Sequence, residues 1–406
     1  MEYEFFQLDN GIRCVFARVK SPVLYCGLTI GAGTRDEALR EHGMAHFIEH
    51  LLFKGTAKRR AYHINSLLDN VGGELNAYTT KEETVVHAVS LKGDYAKAAD
   101  LIADVTFGSQ FAERDIEIER GVIVDEINSY RDTPSELIYD DFEDMLFEGS
   151  SLGRNILGTP KSISRFATAD FRRFVESRYV TDRMVFSVVG NISSARFRQV
   201  AEDKFGANPA RRSDYVRTKV ASYSPGCREL SKGTYQSHCI IGGRACSAMS
   251  PERTAVSLMI NVLGGPSAGS RLNIALRERN GLCYTVEAGF TAYCDTGMVT
   301  VYFGCDRDNL ERCISLAETE IARMKEEPLS PRALAIAKRQ LLGQISVASD
   351  NSESVMLSAG KSMLLYGDVE PYESLKARVD AVSAEDICMA AQRVFDSDGL
   401  SCLVYR

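Results

Sequence analysis

The sequence contains no run approaching the roughly 20 consecutive apolar residues that a membrane-crossing helix requires. Its start, Met1-Glu2-Tyr3-Glu4-Phe5-Phe6, is acidic and strand-like and lacks the basic-then-apolar order of a secretory signal. Excess positive charge is also missing: 48 Lys and Arg stand against 55 Asp and Glu, for a net charge of −7. That balance disfavours nucleic acid, which is held mainly by clustered Lys and Arg. Cysteine is absent between residues 27 and 226, no Cys-x-x-Cys pair occurs, and the total of eleven is odd, which does not describe a disulfide framework. Reduced thiols in a soluble, cytoplasmic protein with no membrane or nucleic-acid partner are therefore expected. Histidine is scarce as well, with six in 406 residues, so any clustering of histidines carries information.

What remains is ordinary globular material. Apolar residues at 45% and charged residues at 25% supply a sizeable core and give no case for disorder. At roughly 100–200 residues per domain the length predicts two to four domains. Comparing the chain with itself narrows that count. Residues 163–190 (ISRFATADFRRFVESRYVTDRMVFSVVG) align without gaps with 379–406 (VDAVSAEDICMAAQRVFDSDGLSCLVYR) at an offset of 216, pairing Phe166 with Val382, Asp170 with Asp386 and Tyr179 with Phe395. Both copies read as a helix capped by Thr168 or Ser383 and followed by a short apolar strand. Two tandem copies of one domain follow, over 1–190 and 227–406, joined by a mostly polar linker, 191–226, that carries Pro209 and Pro225. In the first copy 11–19 and 23–31 read as paired strands, 41–53 and 61–71 as helices, and 73–79 and 84–91 as strands. A long helical stretch, 113–147, is interrupted near Pro134. Hairpins mixed with helices in this order indicate α+β domains, each an antiparallel-rich sheet packed with helices.

The chemistry concentrates in one segment. His42, His46 and His50 fall within nine residues. His46 and His50 are four apart, so on a helix their imidazoles lie one above the other and can converge on one ion. Glu49 borders the same face, close enough to take a proton from a metal-activated water. This is the His-x-x-Glu-His order of inverted zinc sites. With this composition, chance supplies the pattern about 0.012 times per chain. His42 cannot join the site, because eight helical residues place it about 12 Å from His50, whereas zinc ligands lie about 2 Å from the ion. The third ligand must come from elsewhere, and spacing alone leaves Glu74, Glu82, Glu83, Glu119 and Glu126 open. Glu119 and Glu126 stand seven apart, two turns of one helix.

The stretch GMAHFIEHLLFKGT, residues 43–56, resembles the signature of the pitrilysin (insulinase) family of zinc peptidases. The likeness extends through GGELNAYT (72–79), ERGVIVDEI (119–127) and RERNGLCY (277–284), and within the family it is to bacterial members related to mitochondrial processing peptidase. The resemblance implies that His46, His50 and Glu126, 76 positions after the second histidine, hold one Zn2+ per chain. It makes Glu49 the general base and places Glu119 behind a ligand histidine. It also implies that Asn76, Ala77 and Tyr78 lie on an exposed edge strand that accepts extended peptides, and that Arg277 and Tyr284 contact substrate and the developing oxyanion. In the second copy, His46, Glu49, His50 and Glu126 correspond to Val262, Gly265, Pro266 and Leu342, so no second zinc site is expected. His63, His87 and His238 read as structural or surface positions. The expected protein is a zinc metalloendopeptidase acting on peptides or unfolded segments, each chain forming half of a clamshell homodimer. The alternative is a non-catalytic or heterodimer-dependent subunit of a peptidase or respiratory-type assembly.

Overall fold

In the computed structural model, which describes residues 1–396 and 399–406, the chain forms two compact units, each gathered from three segments. The first comprises Met1–Asn128, Arg154–Thr218 and Val347–Tyr372, and the second Ser129–Gly153, Lys219–Ser346 and Glu373–Arg406. Ser397 and Asp398, within the second repeat copy, lie outside the described residues. Among the described residues no helix is long and apolar enough to cross a membrane.

The first unit is built on a six-stranded sheet of β1 (Tyr3–Gln7), β2 (Arg13–Arg18), β3 (Val23–Ile30), β4 (Glu74–Thr79), β5 (Thr84–Leu91) and β6 (Met184–Gly190), in the order β1-β2-β6-β3-β5-β4. Neighbours run antiparallel except β2 and β6, which are parallel. The pairing expected between 11–19 and 23–31 does not occur, because β6 inserts between β2 and β3. All seven residues of β6, MVFSVVG, are buried. A strand with no polar face is stable only where both of its faces are covered, which selects the middle of the sheet.

The second unit carries β7 (Cys227–Leu230), β8 (Ser237–Ala245), β9 (Cys283–Ala292), β10 (Gly297–Cys305) and β11 (Leu400–Tyr405), in the order β7-β11-β8-β10-β9. This repeats β2-β6-β3-β5-β4 strand for strand, with the one parallel pair, β7 and β11, in the same place. The helices Thr168–Arg178 and Ala384–Val394 begin at the repeat offset. Their caps differ from the expected pair. Ser383 caps the second helix, and Asp386 accepts from its amide at 2.8 Å. In the first helix the equivalent residue is Ala167, whose amide is held by Asp170 at 3.1 Å, while the Thr168 hydroxyl donates instead to the Phe111 carbonyl.

The units do not follow the ranges 1–190, 191–226 and 227–406. The helical stretch expected over 113–147 breaks at Pro134, which starts a new helix, and the two halves part company. Helix Pro134–Leu146 packs on β8 and β11 of the second unit, with Ile138, Phe142 and Leu146 against Ile240, Leu403 and Tyr405. Reciprocally, helix Ser352–Tyr366 covers β2, β3 and β6 of the first unit, with Ala359 and Met363 on Val15 and Val185, and Val355 and Met356 on Ala17 and Val189. Each central strand is apolar on both faces, so the face left uncovered by its own half is closed by a helix from the other half of the sequence. The expected linker also holds structure: helix Ser194–Ala201 buries Phe197 and Val200 in the first unit, whereas residues 207–226 lack helix or strand.

The crossing helix lies close to the sheet at Gly360, where an added Cβ would fall 2.5 Å from Thr29 Oγ1 and 3.2 Å from Ser187 Oγ. Gly360→Val should therefore lower the urea midpoint by an amount equivalent to about 1–3 kcal/mol, the usual cost of overpacking a dense interior. An unchanged midpoint would show that this helix is loosely seated.

Candidate metal centre

The His-x-x-Glu-His segment forms helix Met44–Leu52, seated by buried Phe47, Ile48, Leu51 and Leu52. It begins later than the expected 41, since Gly43 adopts φ +91° and turns the chain sharply into the helix. A side chain there would be strained, and its Cβ would meet the Leu157 carbonyl at 2.8 Å. In place of a side-chain cap at Gly43, the buried Glu37 carboxylate accepts from the amides of Gly43 at 3.0 Å and Ala45 at 2.9 Å. Two of the helix's orphan donors are thereby satisfied. His42 lies outside the helix, its Nε2 3.1 Å from the Asn155 carbonyl oxygen, so His46 and His50 alone share it.

Helix Glu113–Arg131 brings the carboxylates, anchored by buried Ile116, Ile123 and Ile127. Glu126 faces both histidines: His46 Nε2 is 3.7 Å from its Oε1, and His50 Nε2 is 3.4 Å from its Oε2. Donor atoms of His46, His50 and Glu126 all lie within 4.8 Å of one another. Ligands about 2.0–2.1 Å from a tetrahedral zinc are about 3.4 Å apart, so this donor set fits the ion with little movement. Two turns earlier on the same helix, Glu119 Oε2 lies 3.1 Å from His50 Nδ1, and its Oε1 lies 2.6 Å from Lys54 Nζ. Two other carboxylates left open by spacing are engaged elsewhere, Glu82 with Arg35 and Glu83 with Lys361. The sequence reasoning missed Glu37 and Lys54. Lys54 had a signal, because it continues the four-residue spacing of His46 and His50.

The electrostatics suit metal binding. Burial, reinforced by His50, lowers the His46 pKa to about 4, so the ring is neutral and its lone pair is available near pH 7. Burial alone would also lower His50, but its bonds to Glu126 and Glu119 outweigh this and raise it. The bond to His50 lowers Glu126 in turn. Burial raises Glu49, the direction a proton-accepting carboxylate needs to work nearer neutrality. Among the described residues, the buried His46 Nδ1 and Glu49 Oε2 have no hydrogen-bond partner.

The remaining predicted residues fall in two places. Asn76, Ala77 and Tyr78 lie on β4, the end strand of the first sheet. Arg277 and Tyr284 belong to the second unit, where the guanidinium sits 5.2 Å above the exposed Tyr284 ring. Both border a cavity of about 450 Å³ together with the glycine-rich loop at 264–268. His238 bonds the Tyr302 hydroxyl at 2.9 Å, His87 pairs with Glu353 at 3.2 Å, and His63 is exposed.

Comparison with known proteins places the chain in a family. Residues 15–160 match the insulinase (peptidase family M16) model, and residues 165–341 match the peptidase M16 inactive domain. The chain belongs to the insulinase family, peptidase family M16. It is 31% identical over 98% of its length to YmxG of Bacillus subtilis, described as an uncharacterized zinc protease, of which 97% is covered. An uncharacterized zinc protease of Streptomyces coelicolor is 32% identical over 95% of this chain and 86% of its own. Among solved structures, a peptidase M16 inactive domain from Pseudomonas fluorescens superposes with a TM-score of 0.92 at 19% identity, covering 100% of this chain and 98% of the other. A protease from Helicobacter pylori gives 0.92 at 17%, covering 100% and 99%. These distant structures share the fold of the whole chain, with its two tandem α+β domains.

The Glu37 cap yields a pH test. Burial pushes its carboxyl from the ordinary 4.5 up to about 8, against the opposing amides of Ala45 and Gly43. A raised folded-state pKa means that the fold favours the neutral acid. That contribution is complete below about 4.5 and is lost as pH rises through about 8. Melting temperatures of the wild type and Glu37→Gln should therefore diverge across this window, with the wild type losing ground as pH rises; parallel curves would refute the raised pKa.

Proposed function

We propose that this family M16 protein is a zinc-dependent endopeptidase. The carrying observation is the convergence of His46, His50 and Glu126 donors within 4.8 Å, beside Glu49, one of whose carboxylate oxygens is buried with no partner among the described residues. The two imidazoles and Glu126 would hold one zinc ion. Bound there, zinc supplies a Lewis acid that polarises a carbonyl and makes water acidic enough to yield hydroxide near pH 7. Glu49 accepts the proton from the attacking water and passes it to the leaving amine, a transfer that its raised pKa favours. Glu119 accepts from His50 Nδ1, which turns the Nε2 lone pair toward the metal. Glu126, at 43% exposure, marks the solvent-open side from which a peptide can approach.

Substrate binding is assigned to β4. As the end strand of its sheet it pairs with β5 alone, leaving the opposite edge of Asn76, Ala77 and Tyr78 for main-chain hydrogen bonds to an extended peptide. Such bonds ignore side-chain identity, which suits an enzyme for peptides and flexible segments. Arg277 and Tyr284 are assigned to substrate contact from the second unit.

Digestion of a peptide library by the purified chain, read by mass spectrometry, should show internal cleavages that disappear with a zinc chelator. Glu49→Gln should keep one zinc per chain, yet slow cleavage by about 10²–10⁴-fold, the range for loss of a general base. Undiminished cleavage by this variant would rule the mechanism out.

A further inference from the structure

We infer that Lys54 is a positioning residue of the metal centre, holding Glu119 so that this carboxylate fixes the imidazole of His50. The inference rests on the zinc reading above. His46, His50 and Lys54 are spaced four residues apart along one strip of chain, the lysine following just beyond the helix end at Leu52. Opposite them, Glu119 and Glu126 are two turns apart on one helix. The five side chains interleave as His46–Glu126–His50–Glu119–Lys54, each consecutive pair 2.6–3.7 Å apart.

Glu119 is the pivot of this series. Its side chain is 4% exposed, so its charge must be compensated by protein groups rather than water. One oxygen is tied to Lys54 Nζ at 2.6 Å, and the other reaches His50 Nδ1 at 3.1 Å. With both oxygens engaged, the carboxylate cannot swing, and the His50 ring orientation is fixed through it. His46 provides the contrast, since its buried Nδ1 has no such partner among the described residues. The two histidines are therefore unequal: the Nδ1 side of His50 is held by a carboxylate and a lysine, and that of His46 is not.

A plainer role for Lys54 would be electrostatic, as a cation beyond the C-terminus of helix Met44–Leu52, where the helix dipole favours positive charge. That role would affect folding stability without regard to zinc, so the two are separable. Zinc affinity of the purified full-length chain, measured by chelator competition, should fall about tenfold in Lys54→Met, within the range of about 10–100-fold for groups that orient ligands. Lys54→Arg should restore most of it. In a Glu119→Gln background, Lys54→Met should add less than about a twofold further loss, because residues acting through one another are not additive. Should Lys54→Met fail to fold, Lys54→Gln gives the same readout. Wild-type zinc affinity in Lys54→Met or Lys54→Gln, with only the metal-free melting temperature lowered, would overturn the inference. So would losses that multiply in the double variant. A wild-type chain that takes up no zinc would instead overturn the metal-centre reading and this inference with it.

Discussion

The structure of the first unit turns on the interleaving of two short rows of side chains. One row, His46, His50 and Lys54, is presented by the helix Met44–Leu52 and its end, and the other, Glu119 and Glu126, by helix Glu113–Arg131. Basic and acidic groups alternate at 2.6–3.7 Å, so neither row can be desolvated without the other. This requirement explains the stiffness of the surroundings. Glu37 pins the first turn of the histidine helix, Gly43 permits its abrupt entry, and isoleucines at 116, 123 and 127 seat the glutamate helix. A metal site needs donors held within fractions of an ångström, and the candidate donors His46, His50 and Glu126 project from helices packed on a sheet rather than from loops.

Duplication supplied the scaffold and divergence removed half of the chemistry. Both units have the strand order of the same five-stranded design, with its single parallel pair, yet at the sequence offset of 216 Val262, Gly265, Pro266 and Leu342 align with His46, Glu49, His50 and Glu126. Each sheet is completed by a helix from the opposite half, Ser352–Tyr366 in the first unit and Pro134–Leu146 in the second. Strands such as β6, apolar on both faces, need cover on both sides, and the exchange provides it. Neither half of the sequence therefore contains a complete unit.

Much of the site was legible because its signals are local. Four-residue spacing places His46 and His50 on one helical face, and seven-residue spacing does the same for Glu119 and Glu126, whatever the rest of the chain does. The repeat was legible in residues 163–190 and 379–406 because a helix followed by a buried strand keeps its apolar pattern as identities drift. The readings that failed depended on distant partners. Strands 11–19 and 23–31 look like a hairpin, yet β6, more than 150 residues further along the chain, lies between them. The helix start at 41 was misplaced because Gly43 turns the chain with φ +91°, at a point where the Leu157 carbonyl leaves no room for a side chain.

The sequence by itself determined the family, the pair of tandem α+β copies and the His-x-x-Glu-His spacing in the first copy, since residue pattern at fixed spacing is enough for each. The tertiary structure decided which carboxylates face the histidines. It turned Glu82 and Glu83 to Arg35 and Lys361 and set Glu119 and Glu126 opposite His50. It also decided which half of the chain closes each sheet. Spacing along one element is fixed by helix geometry, whereas meeting between elements depends on how two apolar faces pack, and no local pattern records that outcome.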